Sequence, residues 1–210
     1  MKISGVIFDA FGTLIDIKKR TNPFLQLLKH GRRQGRKPRA DDTQIIMTRD
    51  VDLTEAALSL GIEIGDVDLQ RIERLLQEEL DSMTLFPEAQ QAIDMLRQAG
   101  IRIAVCSNLA SGYGPSVQRL LPDLDAYGFS YQIGAIKPDP TIYLKTCELL
   151  GVEPAGELGA SGRVLMIGDS PQCDRNGPRA NGINGFLLNR RGGEDFSNLV
   201  DFAKMAAMGD

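Results

Sequence analysis

A chain of 210 residues, 42% hydrophobic and 25% charged, carries enough apolar material for one good core and a smaller second one, with no run of about 18 apolar residues to span a membrane. Its formal charge of −4 gives no overall attraction to nucleic acid or an anionic membrane, so any affinity for an anion has to be local. Cys106, Cys147 and Cys173, odd in number and without metal-ligand spacing, suit reduced thiols; with Met1-Lys2 leading straight into an apolar run, the expectation is a soluble cytoplasmic protein.

Ile3 to Phe8 reads as a buried strand that delivers Asp9 to its carboxyl end, where Gly12-Thr13 turns the chain. In an open parallel sheet that edge binds ligands. From about Asp16 to Thr84 only helical periodicity remains, which predicts an all-helical insertion. Asn22-Pro23 starts a helix with Phe24, Leu25, Leu27 and Leu28 that should end near His30-Gly31. A second helix is expected over Asp42 to Leu60, stopped by Gly61. A third begins at Asp66 and lines Val67, Ile72, Leu75, Leu76 and Leu80 along one face. Between the first two, Lys29, Arg32, Arg33, Arg36, Lys37 and Arg39 form a basic run that reads as a solvated loop or as a positive rim for an anionic substrate. No aromatic residues interleave with these charges to favour nucleic acid. The single histidine, His30, lies beside this run and argues against imidazole catalysis.

From Phe86-Pro87 helix and strand alternate. A helix over Pro87 to Ala99 precedes a strand over Ile101 to Cys106 that ends in Ser107-Asn108. A helix near Ser116 to Leu121 is followed by a short strand, Phe129 to Ile133, and by the loop carrying Lys137-Pro138-Asp139-Pro140. Pro140 starts a helix to Leu150, Arg163 to Ile167 is a strand ending in Gly168-Asp169-Ser170, and Asp174 to Ala180 begins the next helix. Ile183 to Leu188 is a strand and Phe196 to Ala207 a terminal helix. Such repeated units predict an α/β fold, a Rossmann-like parallel sheet with helices on both faces, plus a small helical cap inserted after the first strand. The domains are residues 1–15 with 85–210 for the core and 16–84 for the cap.

The parallel sheet brings Asp9, Ser107-Asn108 and Asp169 to one edge, with Lys137 and Asp174 close behind. Three acids then share a pocket with one lysine. Carboxylates within roughly 4–6 Å raise one another's pKa unless a cation intervenes, and Mg²⁺ commonly joins such groups to a substrate phosphate.

With these residues in place the sequence resembles the haloacid dehalogenase-like (HAD) hydrolases along its whole length. Asp9 to Thr13 matches the D-x-x-G-T motif, Ser107 the second motif, Lys137 the third, and Gly168-Asp169-Ser170 with Asp174 the acidic fourth. The resemblance implies Asp9 as nucleophile, Ser107 hydrogen-bonded to the transferring group, Lys137 offsetting charge, and Gly12, Thr13 and Asn108 on the substrate side. It further implies Mg²⁺ held by Asp9, the Phe11 carbonyl, Asp169 and Asp174, a small phosphorylated substrate, and a monomer or homodimer without nucleic-acid or membrane partners. One position departs: phosphatases of the family usually carry a second Asp two residues after the nucleophile, where this chain has Phe11. That makes the protein similar to the dehalogenases at this point, whereas at the fourth motif the residues corresponding to their S-x-N-x-x-D are Asp169, Pro171 and Asp174, with Asp and Pro in place of Ser and Asn. A Mg²⁺-dependent phosphatase is the expectation, with a metal-independent 2-haloacid dehalogenase or a weakly active binding protein as alternatives.

Overall fold

The computed structural model describes residues 3–154 and 163–209; Met1 and Lys2 lie outside them. Five parallel strands form one sheet: β1 (Ile3–Phe8), β4 (Arg102–Ser107), β5 (Ala126–Phe129), β6 (Arg163–Gly168) and β7 (Asn184–Leu187), in the order β5-β4-β1-β6-β7. The apolar run of β1 is central because it is buried on both faces. On one face α5 (Ala89–Gln98) and α10 (Leu199–Met208) pack against each other and the sheet; on the other lies α8 (Pro140–Leu150). Cys106 and Cys147 fill the α8 side, where burial pushes their thiols up to about 11 and about 12. They are inert packing groups.

Both crossings between the sheet and the inserted helices run through one antiparallel ribbon, β2 (Ile15–Ile17) with β3 (Met83–Leu85), so the insertion is helical above a two-stranded base. The Phe86 amide donates to the Leu14 carbonyl at 2.9 Å and closes that base. Above it stand α1 (Pro23–Arg33), α2 (Asp42–Met47), α3 (Leu53–Leu60) and α4 (Asp66–Asp81), around a core of their own that includes Leu27, Ile46, Leu60 and Ile72. Among the described residues no helix is long and apolar enough to cross a membrane.

Four expectations are corrected here. The first helix does not stop at Gly31: that residue is buried inside α1, where a Cβ would lie 2.7 Å from Ile62, so the glycine permits a close approach instead of ending a helix. The single helix expected over 42–60 is two, because Asp52 and Glu55 form a reciprocal capping box that starts α3 afresh. Val67 is exposed on α4 while Glu79 is buried. The strand expected over 129–133 ends at Phe129, and Ser130–Ile133 is the helical turn α7. The strand instead starts earlier, at Ala126, and runs through Gly128, which looks like a strand breaker but lets α8 touch the sheet: a Cβ there would sit 1.9 Å from Thr146 Oγ1. Elsewhere α6 (Gly114–Leu120) and α10 start two residues early and three late, and a π-helical turn, Pro171–Asn176, precedes the short α9 (Gly177–Arg179).

The basic run is divided. Lys29, Arg32, Arg33, Lys37 and Arg39 are exposed, but Arg36 is folded inward, pairing with both carboxylate oxygens of the buried Asp42 and donating to the Leu60 carbonyl. Hydrogen bonds from Arg36 hold the Asp42 carboxyl well below its usual value. A depressed carboxylate contributes stability above its unfolded pKa, roughly 3.9, and loses it as pH falls through the folded value. Asp42→Asn is therefore expected to cost about 1–3 kcal/mol in urea denaturation at pH 7, with the difference from wild type shrinking below about pH 4.

Candidate active site

The parallel sheet gives the site its position. Asp9 follows β1, Ser107 ends β4 and Asp169 follows β6, so all three stand at one edge, and the Asp9 amide donates to the Ile167 carbonyl at 3.0 Å to lock β1 against β6. Lys137 arrives from the loop before α8. Its ammonium donates at 2.7 Å to Asp9 Oδ1 and at 2.7 Å to Asp174 Oδ1, and all three side chains are buried. The other oxygen of Asp174 accepts from the Ser170 amide at 2.9 Å. Asp169, exposed, completes a group of three carboxylates whose oxygens lie within 4.8 Å of one another.

The electrostatics follow from that crowding. Burial, above all, pushes the Asp9 carboxyl up to about 6; Lys137 pulls it down, and Asp174 adds to the rise. Burial and then the charge of Asp174 raise Asp169. For Lys137, burial opposes the ammonium, yet Asp9 and Asp174 hold it well above its ordinary value. Three carboxylates face one buried ammonium, which leaves room for a cation.

Two glycines make the crowding possible. Gly12 has φ of +82°, and a Cβ on it would lie 2.1 Å from Asp169 Oδ2. On Gly168 a Cβ would meet the Asp174 carboxylate at 2.3 Å. Any side chain at either position displaces an acid.

The remaining sequence-predicted residues lie at or beside this edge. Ser107 is buried at the edge, and its hydroxyl makes no hydrogen bond to another described residue. Thr13 is fully buried, with its hydroxyl 3.4 Å from Asp9 Oδ2. The Gly12 amide is taken by the Ile15 carbonyl at 2.9 Å and holds the turn. Asn108 clamps the lysine loop: its Oδ1 accepts from the Lys137 amide at 2.7 Å and its Nδ2 donates to the Lys137 carbonyl at 3.0 Å. The Phe11 ring meets the Tyr113 ring edge-on, with centroids 5.7 Å apart.

Arg190 carried no sequence signal. Its guanidinium donates to the carbonyls of Gly12 at 2.6 Å and Thr13 at 2.8 Å, pairs with Glu88 and stacks on Phe86 at 3.6 Å. One side chain thus ties the turn after Asp9 to the base of the insertion. Its partners are main-chain carbonyls 177 and 178 positions away, which no local pattern announces.

Residues 3–182 match the family of haloacid dehalogenase-like hydrolases. The chain belongs to that family. Among HAD-like hydrolases it is similar to (S)-2-haloacid dehalogenase 1 of a Pseudomonas strain, at 26% identity over 87% of this chain and 86% of that protein. It is equally similar to a phosphatase of Mycobacterium tuberculosis, at 27% identity over 100% of this chain and 98% of the relative. The crystal structure of a HAD phosphatase from Thermococcus onnurineus superposes with a TM-score of 0.64 at 23% identity, covering 97% of each chain, which establishes the fold. The protein is a HAD-like hydrolase whose relatives include both phosphatases and dehalogenases.

Arg190→Met removes the clamp and leaves two turn carbonyls without their donor. The expected loss is about 2 kcal/mol in urea denaturation. A change under about 0.5 kcal/mol, the scale of an ordinary surface substitution, would show that the turn holds itself.

Proposed function

We propose that the protein is a Mg²⁺-dependent, cytoplasmic phosphatase that acts on a small phosphorylated molecule through an aspartyl-phosphate on Asp9, with residues 16–84 as the cap over its site. The observation that carries this reading is the trio Asp9, Asp169 and Asp174, gathered within 4.8 Å around one ammonium. Its donors are all oxygens, the set a hard divalent ion prefers, and the Phe11 carbonyl, which accepts no main-chain hydrogen bond from a described residue, fits as a further ligand. When bound, Mg²⁺ would supply positive charge against the carboxylates and the phosphoryl oxygens.

The chain's own residues account for the rest. Lys137 at Oδ1 and Thr13 at Oδ2 fix the rotation of the Asp9 carboxylate, so one oxygen meets phosphorus in a defined direction. The buried ammonium also stabilises charge growing on the phosphoryl group. The Ser107 hydroxyl is available as a donor to the same oxygens. Water then cleaves the acyl-phosphate, dividing one hard hydrolysis into two easier steps.

Phe11 favours a second reading, a 2-haloacid dehalogenase in which Asp9 attacks carbon and a halide leaves without a proton; the similarity to the Pseudomonas dehalogenase supports it. Against it stands Asp169, which occupies the place of the Ser in the dehalogenase motif S-x-N-x-x-D.

Asp169→Asn is expected to weaken Mg²⁺ binding, measured by calorimetry, and to abolish release of phosphate from nitrophenyl phosphate, while the thermal midpoint stays within a few degrees. Wild type should lose the same activity to a chelator. Consumption of 2-chloropropionate in the presence of chelator, with no phosphate release under any condition, would support the dehalogenase instead.

The phenyl ring at position 11 has its own consequence. A positioned general acid contributes roughly 10²–10⁴-fold, so alkyl phosphates should be slow substrates by about that factor relative to aryl phosphates. Phe11→Asp should narrow the gap without helping a haloacid. Equal wild-type rates on both ester types would mean that another group donates the proton.

A further inference from the structure

Between the inserted helices and the sheet edge lies a cavity of about 330 Å³, beside the nucleophile's turn. Roughly 150 Å³ holds a benzene ring, so this space takes one ring with a substituent. Its wall is mostly apolar: Phe11 and Leu109 come from the sheet side, and Phe24, Leu28 and Ile46 from α1 and α2. Its uncharged polar side chains are Asn22, Thr43, Asn108 and Tyr113, and Asn108 is already bonded to Lys137, so a polyhydroxylated leaving group would leave some of its hydroxyls unpaired.

Two charged side chains line the cavity, Glu79 and Arg20. Glu79 is spent. One of its oxygens accepts from the Thr21 amide at 2.6 Å, the Thr21 hydroxyl at 2.9 Å and the Asn22 amide at 2.7 Å, anchoring the start of α1, while the other accepts from the Tyr113 hydroxyl at 3.0 Å. Tyr113 is already donating that proton, and burial followed by the charge of Glu79 raises its pKa, so it is a poor acid toward a ligand. Arg20 differs: it is exposed and makes no hydrogen bond or ion pair with another described residue. The cavity therefore offers apolar surface, one uncommitted cation among the described residues, and no proton for a departing oxygen.

Resting on the phosphatase reading, we infer that this cavity receives the leaving group, and that the substrate class is the phosphate monoester of a carboxylate-bearing phenol, whose carboxylate pairs with Arg20. The ring matches the apolar wall, and the phenolic oxygen supplies what Phe11 withholds. As the bond from Asp9 oxygen to phosphorus forms, the bond from phosphorus to the aryl oxygen breaks and its electron pair leaves with that oxygen. The group departs as a phenoxide and is protonated later by water, so no side chain has to donate. An alkoxide would be too basic to leave in this way. Arg20 acts as a specificity residue, not a catalytic one.

The test compares 4-carboxyphenyl phosphate, phenyl phosphate and glycerol phosphate with Mg²⁺ present, in wild type, Arg20→Met and Arg20→Lys. Wild type is expected to favour the carboxylated ester over phenyl phosphate by about fivefold in kcat/KM, the scale of an exposed ion pair, carried mainly by KM, with glycerol phosphate slowest. Arg20→Met should bring the ratio of the two aryl esters to near one, and Arg20→Lys should keep part of it. A wild-type ratio near one, a ratio that survives Arg20→Met, or a preference for glycerol phosphate overturns the inference. Calorimetry with 4-hydroxybenzoate separates this from the parent reading, because it needs no phosphoryl transfer. Arg20-dependent binding in a protein that cleaves no phosphate ester keeps the subsite and removes the phosphatase. Phosphatase activity without such binding removes the subsite and keeps the phosphatase.

Discussion

The ammonium of Lys137 is buried between two carboxylates, 2.7 Å from Asp9 and 2.7 Å from Asp174, and the rest of the site is arranged to keep it there. Desolvating each of these ions costs several kcal/mol, and only good geometry and further hydrogen bonds return it. Those bonds come from elements that cannot drift. Asn108 grips the lysine loop by both main-chain groups of Lys137, the Ser170 amide holds Asp174, and the register of β1 against β6 fixes Asp9. A single ammonium shared between two acids, with Asp169 beside them, leaves an excess of negative charge at the sheet edge. That excess is what the proposed cation would offset.

The same constraint shapes the base of the helical insertion. The turn after Asp9 and the two crossings of the chain share a few residues: Leu14 binds Phe86 through the main chain, and Arg190 reaches the carbonyls of Gly12 and Thr13 while stacked on Phe86 and paired with Glu88. A shift of the insertion is thereby felt at the turn that carries Asp9. On the opposite side Tyr113, in the segment after β4, reaches Glu79 on α4, and the Ser111 hydroxyl donates to the Val51 carbonyl at 2.6 Å. The inserted helices have their own apolar core, yet contact the sheet through polar bonds and through the walls of a cavity. Phe24 and Arg20 of the insertion thus share one cavity wall with Phe11 and Asn108 from the sheet side.

The sequence by itself determined the strands and their ends. Continuous apolar runs such as Ile3–Phe8 and Arg163–Gly168 have no stable place outside a doubly covered parallel sheet, and a polar residue directly after such a run has to emerge at its edge. That rule places Asp9, Ser107 and Asp169 at one edge, with Lys137 and Asp174 in the loops close behind. Some local chemistry was legible, since Pro140 starts α8 and Gly61 stops α3, but the equally local pair Asp52 and Glu55, which starts α3, was passed over inside a single expected helix. Tertiary structure decided the rest, because the deciding partner was distant. Gly31 and Gly128 look like breakers until Ile62 and Thr146 are seen against them, and Arg36 looks solvated until Asp42 and Leu60 enclose it. Asn108, Thr13 and Gly12 were marked for a substrate, but their hydrogen bonds go to Lys137, Asp9 and the turn. Spacing shows which residues reach an edge; which of them a neighbour has already claimed is fixed only when the chain closes around them.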